Sequence, residues 1–378
     1  MSFSVFDQEM MARAITLARK GRFTARPNPM VGCVLVKDGN IIGEGWHHQA
    51  GLAHAEVNAL AGLTTAETAG STVYVTLEPC SHTGRTGPCA QALIEAKPAR
   101  VVIAMQDPFP AVAGNGIAML KAAGINVEVG CLNEAAEALN PHFLYRARHN
   151  MPWVTVKLGM SLDGKIALAN GQSKWITSVQ ARRDVQAYRA QYDAILTGAG
   201  TVLADDPSMN VRLSECPAQI TQTLAEQSAS VALRQPRCFV LDSQQRLHAG
   251  LYLLQQSTTT VFSASATKPG QYGDVAHYQC MATSDTEQCD LQAVLAYIAQ
   301  TPANAVWVEA GPALVGALLD AGLVNELVLY QAPVLLGASA KSAFAISPLD
   351  DLTQAQDVEV LSQTRVGPDL KTVLRVTK

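Results

Sequence analysis

The chain has 378 residues, 48% of them hydrophobic and 16% charged. That balance supplies apolar surface for about two or three packed domains and excludes a disordered or fibrous protein. Lys and Arg total 28 against 32 Asp and Glu, a net charge of −4, without the basic excess of a protein that grips a nucleic-acid backbone. Cys33, Cys80, Cys89, Cys131, Cys216, Cys238, Cys280 and Cys289 are irregularly spaced in a long chain, which does not read as a disulfide framework. The segment Met1 to Met10 carries Asp7 and Glu9 and no basic region, so it does not read as a signal peptide. No apolar run approaches the roughly 20 residues of a membrane helix. The expectation is a reduced, soluble, cytoplasmic protein whose cysteines are available as metal ligands.

The apolar spacing of Met10, Ala14, Leu17 and Ala18 predicts a helix over 6–19. Val31 to Val36 and Ile41 to Gly45 flank Lys37-Asp38-Gly39-Asn40, which predicts a hairpin. A helix from His54 to Leu60, a strand at 72–77, a helix after Pro88, a strand at 100–105, a helix at 117–123 and a strand at 126–129 follow. This alternation implies a layered α/β domain over residues 1–150. The polar, basic segment 140–152, with Pro141 and Pro152, reads as a linker. A second α/β domain, 151–378, begins with a strand at 153–158 and a helix at 178–191 that Ser178 caps. Strands at 194–197, 239–241, 259–262 and 305–308 lead to a helix at 312–320 and a last apolar strand near 326–330. Residues 214–236, rich in Gln, Ser, Ala and Thr, read as a surface insertion.

His54-Ala55-Glu56 is followed by Pro79-Cys80 and Pro88-Cys89. One imidazole and two thiolates form a three-ligand zinc set that leaves a fourth position for water. A zinc ion there lowers the pKa of water from 15.7 towards about 7. Glu56, two residues past the His ligand, can sit beside the metal without binding it and carry protons from water to a leaving nitrogen. Cys89 opens a helix, where free N–H groups favour a thiolate. Eight residues separate the two cysteines, a departure from the compact H-x-E…P-C-x-x-C signature of zinc deaminases.

With this spacing, His54-Ala55-Glu56-Val57 and the run from Glu78-Pro79-Cys80 through Ser81-His82-Thr83-Gly84-Arg85-Thr86-Gly87-Pro88-Cys89 resemble the deaminase half of the bifunctional riboflavin-biosynthesis deaminase–reductase family. Pro27-Asn28-Pro29 and Val31-Gly32 match that family's pyrimidine-pocket segment. The resemblance implies a cytidine-deaminase-like α/β fold, one Zn2+ per deaminase domain, and ribose and phosphate contacts from His82, Arg85 and Asp107. Arg85 has the planar fork that clamps phosphate. Two positions depart from the family pattern: Phe109, where Asn is usual in Asp107-Pro108-Phe109-Pro110, and Gly87, where a second proline is usual.

In the second half, Gly198-Ala199-Gly200-Thr201-Val202-Leu203 lacks the third glycine of a Rossmann fingerprint. Four segments instead resemble the reductase half of the same family, which implies a dihydrofolate-reductase-like α/β fold. They are Lys157 to Ala167, Ser173-Lys174-Trp175-Ile176-Thr177, Thr201 to Pro207, and Glu309-Ala310-Gly311-Pro312. The resemblance implies NADPH contacts at Gly159, Trp175, Thr201, Asp205 and Ser243, and along Gly311, Pro312, Ala313, Leu314, Val315, Gly316 and Ala317. It implies substrate contacts at Ser173, Arg189, Met209, Arg212 and Glu309. Arg189 and Arg212 suit a 5′-phosphate, and Lys157, Asp205 and Glu309 are candidates to assist ring opening by proton transfer. Asp163 reads as a turn residue, and His47 and His48 read as loop residues.

The expected activity is hydrolytic deamination of 2,5-diamino-6-ribosylamino-4(3H)-pyrimidinone 5′-phosphate, followed by NADPH-dependent reduction of the ribosyl side chain of 5-amino-6-(5-phosphoribosylamino)uracil to ribityl. The partner is that small-molecule phosphoribosylaminopyrimidine, with no nucleic acid and no membrane, in a homo-oligomer (dimer or tetramer). The rival readings are a nucleic-acid base deaminase, disfavoured by the long loop between the cysteines and the net negative charge, and a non-catalytic zinc scaffold, disfavoured by Glu56 and Glu309.

Overall fold

The computed structural model describes residues 3–81, 87–109, 113–227, 231–266, 270–273, 277–280 and 287–377. The chain forms two compact units, residues 1–150 with 219–234, and residues 151–218 with 235–378. The segment read as a surface insertion is therefore largely part of the first unit. Composition identified it as a polar interruption, but its packing partners lie far away in sequence. Gln227 donates to the Lys20 carbonyl at 3.1 Å, the Ala232 N–H donates to Gln49 at 3.0 Å, and Arg26 donates to the Arg234 carbonyl at 2.9 Å.

In the first unit the order is α1 (Val5–Ala18), β1 (Gly32–Lys37), β2 (Asn40–Trp46), α2 (Ala55–Leu60), α3 (Thr65–Thr68), β3 (Thr72–Val75), α4 (Cys89–Ala96), β4 (Arg100–Ile103), α5 (Asn115–Ala122), β5 (Asn126–Val129), α6 (Asn133–Glu137) and α7 (Pro141–His149). The described strands form a sheet in the order β2-β1-β3-β4-β5. Strand β1 is antiparallel to β2 and β3, and β3, β4 and β5 are parallel. Asp38 and Gly39 both take positive φ, 51° and 78°, the geometry a tight hairpin turn demands. Side chains alternate across β1: Val34 and Val36 pack towards α1 and α6, whereas Cys33 and Leu35 pack with residues of α2, α4 and α5. The segment expected as a linker is instead helix α7. Pro141 sits at its first turn, where a missing N–H costs nothing, Leu144 is buried, and Asn150 closes it in the left-handed region.

The second unit contains β6 (Trp153–Ser161), β7 (Lys165–Ala167), α8 (Val179–Arg189), β8 (Ala194–Gly198), α9 (Ala199–Asp205), β9 (Arg237–Leu241), β10 (Thr259–Ser263), β11 (His277–Cys280), α11 (Leu291–Gln300), β12 (Ala305–Glu309), α12 (Pro312–Asp320), β13 (Glu326–Ala332), β14 (Lys341–Ser342), β15 (Val358–Val366) and β16 (Asp369–Val376). Helix α10 (Ala218–Ala225) opens the segment that joins the first unit. The described strands form a sheet in the order β11-β10-β9-β8-β12-β6-β13-β16-β15, parallel from β11 to β13. Strand β12 is buried on both faces through Val306, Trp307 and Val308, as expected of a central parallel strand. The 326–330 strand is not the last. Strands β15 and β16 add an antiparallel edge, and β15, exposed along nearly its whole length, has no buried face to mark it as a strand. Asp163 does hold a turn: it accepts the Ser161 hydroxyl at 2.5 Å and the Gly337 N–H at 2.8 Å. Among the described residues, no helix is long and apolar enough to cross a membrane.

Helix α2 lies directly on β2. A Cβ at Gly45 would stand 2.4 Å from the Ala55 carbonyl oxygen and the Ala59 nitrogen, and one at Gly43 would stand 2.2 Å from the Ala59 carbonyl oxygen. Backbone atoms cannot swing aside as a flexible side chain can. Gly45→Ala is therefore expected to destabilise the first unit by about 1–3 kcal/mol, the range of an overpacked core, measured by denaturant unfolding. An unchanged transition midpoint would show that α2 moves freely off the sheet.

Candidate active sites

The close seating of α2 places His54, its N-cap residue, beside Cys89, the first residue of α4. His54 Nδ1 lies 3.2 Å from Cys89 Sγ and 3.6 Å from Cys80 Sγ, and the Cys89 N–H donates to Cys80 Sγ at 3.3 Å. The three ligand atoms all fall within 4.8 Å of one another. The hydrogen bond with Cys89, joined by those from His54 and the Cys89 N–H, pulls the Cys80 thiol down to about 4. A soft thiolate beside a second sulfur and an imidazole nitrogen is a donor set that suits zinc. Glu56, 3% exposed, lies against Cys89. Burial, its largest influence, pushes its carboxyl up to about 7.

Two residues near this centre, His47 and Glu78, were given no site role by the sequence, although Glu78 opens the Glu78-Pro79-Cys80 run. His47 is 2% exposed and its ring meets that of His54 edge-on at 5.2 Å. Asn28 Nδ2 donates to His47 Nε2 at 3.1 Å, so His47 Nδ1 carries the proton it gives to the Ala53 carbonyl, also at 3.1 Å. Burial pushes the pKa of His47 down to about 4, in keeping with this neutral form. Glu78, 4% exposed, accepts backbone N–H groups from Asp107 (3.2 Å), Gly114 (3.0 Å), Gly116 (3.0 Å) and Ile117 (3.3 Å). It thereby holds the start of α5 and the Asp107 backbone two residues from Cys80. Phe109 packs edge-on against Phe143 at 5.3 Å, and its N–H donates to the Asp107 carboxylate at 2.9 Å. His82 and Arg85 lie outside the described residues.

In the second unit, the carboxyl ends of the parallel strands open onto a cleft of about 1440 Å³, the usual place for a ligand in such a sheet. The β6–β12 register sets Lys157 beside Glu309. Burial pushes the Lys157 amine down, with Glu309 opposing. For Glu309, burial would raise the pKa, but Arg189 outweighs it and holds the carboxyl at about 2. Arg189 donates Nε to Glu309 Oε1 at 2.6 Å and Nη2 to Oε2 at 3.0 Å, while Trp307 Nε1 donates to Oε1 at 2.8 Å.

Residues 4–105 match the cytidine and deoxycytidylate deaminase zinc-binding region, and residues 152–371 match the RibD C-terminal domain. The riboflavin biosynthesis protein RibD of Escherichia coli is 48% identical, with 96% of this chain and 98% of that protein covered. RibD of Haemophilus influenzae is 45% identical, with 98% of each covered. The chain belongs to the RibD family. A solved structure of Acinetobacter baumannii RibD superposes with a TM-score of 0.86 at 38% identity, covering 99% of both chains. A deaminase/reductase from Thermotoga maritima does so at 0.82 and 32% identity, covering 98% of this chain and 99% of that one. The protein is thus a bifunctional enzyme of riboflavin biosynthesis: a zinc-dependent deaminase of cytidine-deaminase-like fold, followed by a reductase.

Against this RibD framework, the cleft is lined by Lys157, Gly159, Ser173, Trp175, Thr201, Asp205, Met209, Arg212, Ser243, Glu309, Gly311 to Leu314 and Ala317. Val315 and Gly316 do not line it. Val315 is fully buried, and a Cβ on Gly316 would stand 2.0 Å from the Ala345 carbonyl oxygen, because residues three and four apart on α12 share the face turned to the core, with Leu318 and Leu319. Arg189 lines the cleft, but its guanidinium is held by Glu309 and by the Asn210 carbonyl at 3.0 Å, not presented as a free fork. A cation only 8% exposed needs a fixed counter-charge. Arg212 pairs with Glu215 at 2.7 Å and is 40% exposed, and an exposed pair of this kind exchanges readily for another anion.

Arg189→Ala would leave the Glu309 carboxylate buried without its counter-charge, so its pKa should rise. The acidic limb of the reductase pH–rate profile is then expected to move to higher pH, with kcat down roughly tenfold or more, up to the roughly 10²–10⁴-fold weight of a positioned acid–base group. Arg212→Ala should act on the KM of the phosphorylated substrate instead. An Arg189→Ala profile coincident with that of the parent enzyme would remove Glu309 from proton transfer.

Proposed function

We propose that residues 1–150 hydrolyse the 2-amino group of 2,5-diamino-6-ribosylamino-4(3H)-pyrimidinone 5′-phosphate. Residues 151–378 then reduce the ribosyl side chain of the product, 5-amino-6-(5-phosphoribosylamino)uracil, to ribityl with NADPH. The observation that carries this reading is the joining, in one chain, of a buried Glu56 beside His54, Cys80 and Cys89 to a cleft holding Lys157 and Glu309. The Thermotoga maritima relative is named for the corresponding deaminase and reductase activities.

His54, Cys80 and Cys89 would hold the metal. Bound zinc supplies Lewis acidity that makes water acidic near neutral pH. A Glu56 carboxylate oxygen takes a proton from the attacking water and passes it to the departing nitrogen, so water and the 2-amino group leave as the 2-oxo product and ammonia. Asn28 and His47 shape the pocket at the pyrimidine, and Asp107, with His82 and Arg85, serves the ribose phosphate. In the second cleft, Arg212 serves the 5′-phosphate, with Ser173 and Met209 alongside. Lys157, whose amine burial moves towards its proton-accepting form, works with Glu309 and Asp205 on ring opening. NADPH, when bound, supplies the hydride for C1′. Gly159, Trp175, Thr201, Ser243, Gly311 to Leu314 and Ala317 serve the nucleotide, and Trp175, 70% exposed, offers an open ring face steadied by Arg182 at 4.2 Å. The same reading puts the protein in the cytoplasm as a homo-oligomer; association is supported by β15, an edge strand that exposes Val358, Val360 and Leu361 and so offers backbone and apolar surface to another copy.

Glu56→Gln keeps the volume and removes the proton carrier. Ammonia release is expected to fall at least about 100-fold, in line with a general acid–base group, with zinc content and NADPH oxidation on pre-deaminated substrate retained. Less than a tenfold loss would exclude Glu56 as that carrier.

A further inference from the structure

Two parts of the first unit meet beside the zinc ligands. A run of turns over residues 19–28 ends on Asn28, and the end of β2 leads into His47. The Asn28 side chain donates to the His47 ring, which meets that of His54 edge-on at 5.2 Å. The seam between the two parts is close: a Cβ on Gly21 would stand 2.8 Å from the His47 carbonyl oxygen.

Gln227 spans that seam. Its Nε2 donates to the Lys20 carbonyl at 3.1 Å, which turns Oε1 towards His48 Nδ1, also 3.1 Å away. With the amide so oriented, His48 Nδ1 is the donor. His48 stacks on Trp46 at 4.3 Å, and the Lys20 ammonium stands 4.5 Å over the same ring, so the two residues that Gln227 reaches also share one indole. A second bridge repeats the first. Arg26, two residues before Asn28, donates Nη2 to the Arg234 carbonyl at 2.9 Å, and Gln49, two residues after His47, accepts the Ala232 N–H at 3.0 Å. Each bridge therefore holds the Asn28 side by one contact and the His47 side by another. The bridging residues come from between β8 and β9, inside the sequence of the reductase half, yet belong to the first unit. Helix α10, which leads into Gln227, buries Ile220 to 2% exposure.

We propose that Gln227, with the Ala232 and Arg234 backbone, is a positioning element of the deaminase: it holds the Asn28 and His47 segments at the spacing that receives the pyrimidine, and so sets the affinity for that substrate. The proposal rests on the reading of Asn28 and His47 as pyrimidine-pocket residues. It means that the deaminase is completed by sequence that a boundary at residue 150 leaves out. Gln227 acts on the pocket wall and not on the proton carrier Glu56. A wall that holds the ring equally in the ground and transition states moves KM and leaves kcat.

The test uses the full-length protein. Gln227→Ala removes one bridge, and Gln49→Ala weakens the other. Each should raise the KM of deamination about three- to tenfold, the weight of a neutral hydrogen bond, with the double variant above either. The kcat should stay within about twofold, and zinc content and NADPH oxidation on pre-deaminated substrate should be unchanged. Amide hydrogen exchange in Gln227→Ala should quicken over residues 19–28 and 46–54 and stay as in the parent over β3, β4 and β5. An unchanged KM, or a fall in kcat with KM unmoved, would overturn the positioning role. Should the parent protein release no ammonia from the diaminopyrimidine phosphate, the substrate reading falls; unchanged exchange over 19–28 and 46–54 would overturn the clamp by itself.

Discussion

A backbone-to-backbone contact underlies the deaminase centre. Helix α2 reaches β2 only because Gly43 and Gly45 carry no side chain, and that seat determines where His54 and Glu56 stand relative to Cys89 at the start of α4. Two helix starts on one face of the sheet supply an imidazole, a thiolate-favouring N–H and a buried carboxylate within a few residues. Glu78 extends the same logic to the neighbouring strand end. By drawing four backbone N–H groups onto one carboxylate, it ties the Cys80 segment to the Asp107 loop without adding a metal ligand.

The reductase cleft depends on a different constraint, a buried charge balance. Lys157 and Glu309 are neighbours in strand register, and either alone would be an isolated charge in a low-dielectric site. Arg189 holds Glu309 ionised, so that the site presents a carboxylate and an amine with displaced proton affinities side by side. Both are displaced downward, the amine by burial and the carboxyl by Arg189, and perturbed groups that share a cleft are the pattern of acid–base machinery. Arg189 is thereby committed to Glu309, while Arg212 stands in an exposed pair with Glu215 at the cleft.

Most of this architecture is legible in the sequence where the signal is local. The His-x-Glu and Pro-Cys pairs, the hairpin at Asp38-Gly39 and the Ser178 cap each state their own geometry, and the structure has them there. What escaped was decided at long range. Glu78 meets its partners 29 to 39 residues away, so no spacing announces it. His47 is drawn in by Asn28, 19 residues earlier. The 219–234 segment reads as a polar insertion because its contacts are to the first unit, and α7 reads as a linker because its prolines and basic residues mask a helix start. Strand β15 lacks the buried alternation by which a strand is recognised, and β16 shows it only from Leu374 to Val376. Val315 and Gly316 fall inside a segment that resembles a nucleotide loop, yet helical periodicity turns them to the core.

The account's central claim is that one chain carries two chemically separate centres, only one of them metal-dependent. It is tested most directly by removing zinc from the full-length protein with a chelator and following ammonia release and NADPH oxidation, the latter on pre-deaminated substrate. Ammonia release should vanish and return on adding zinc, while NADPH oxidation continues throughout. Undiminished ammonia release from a protein shown to be free of metal would contradict the account.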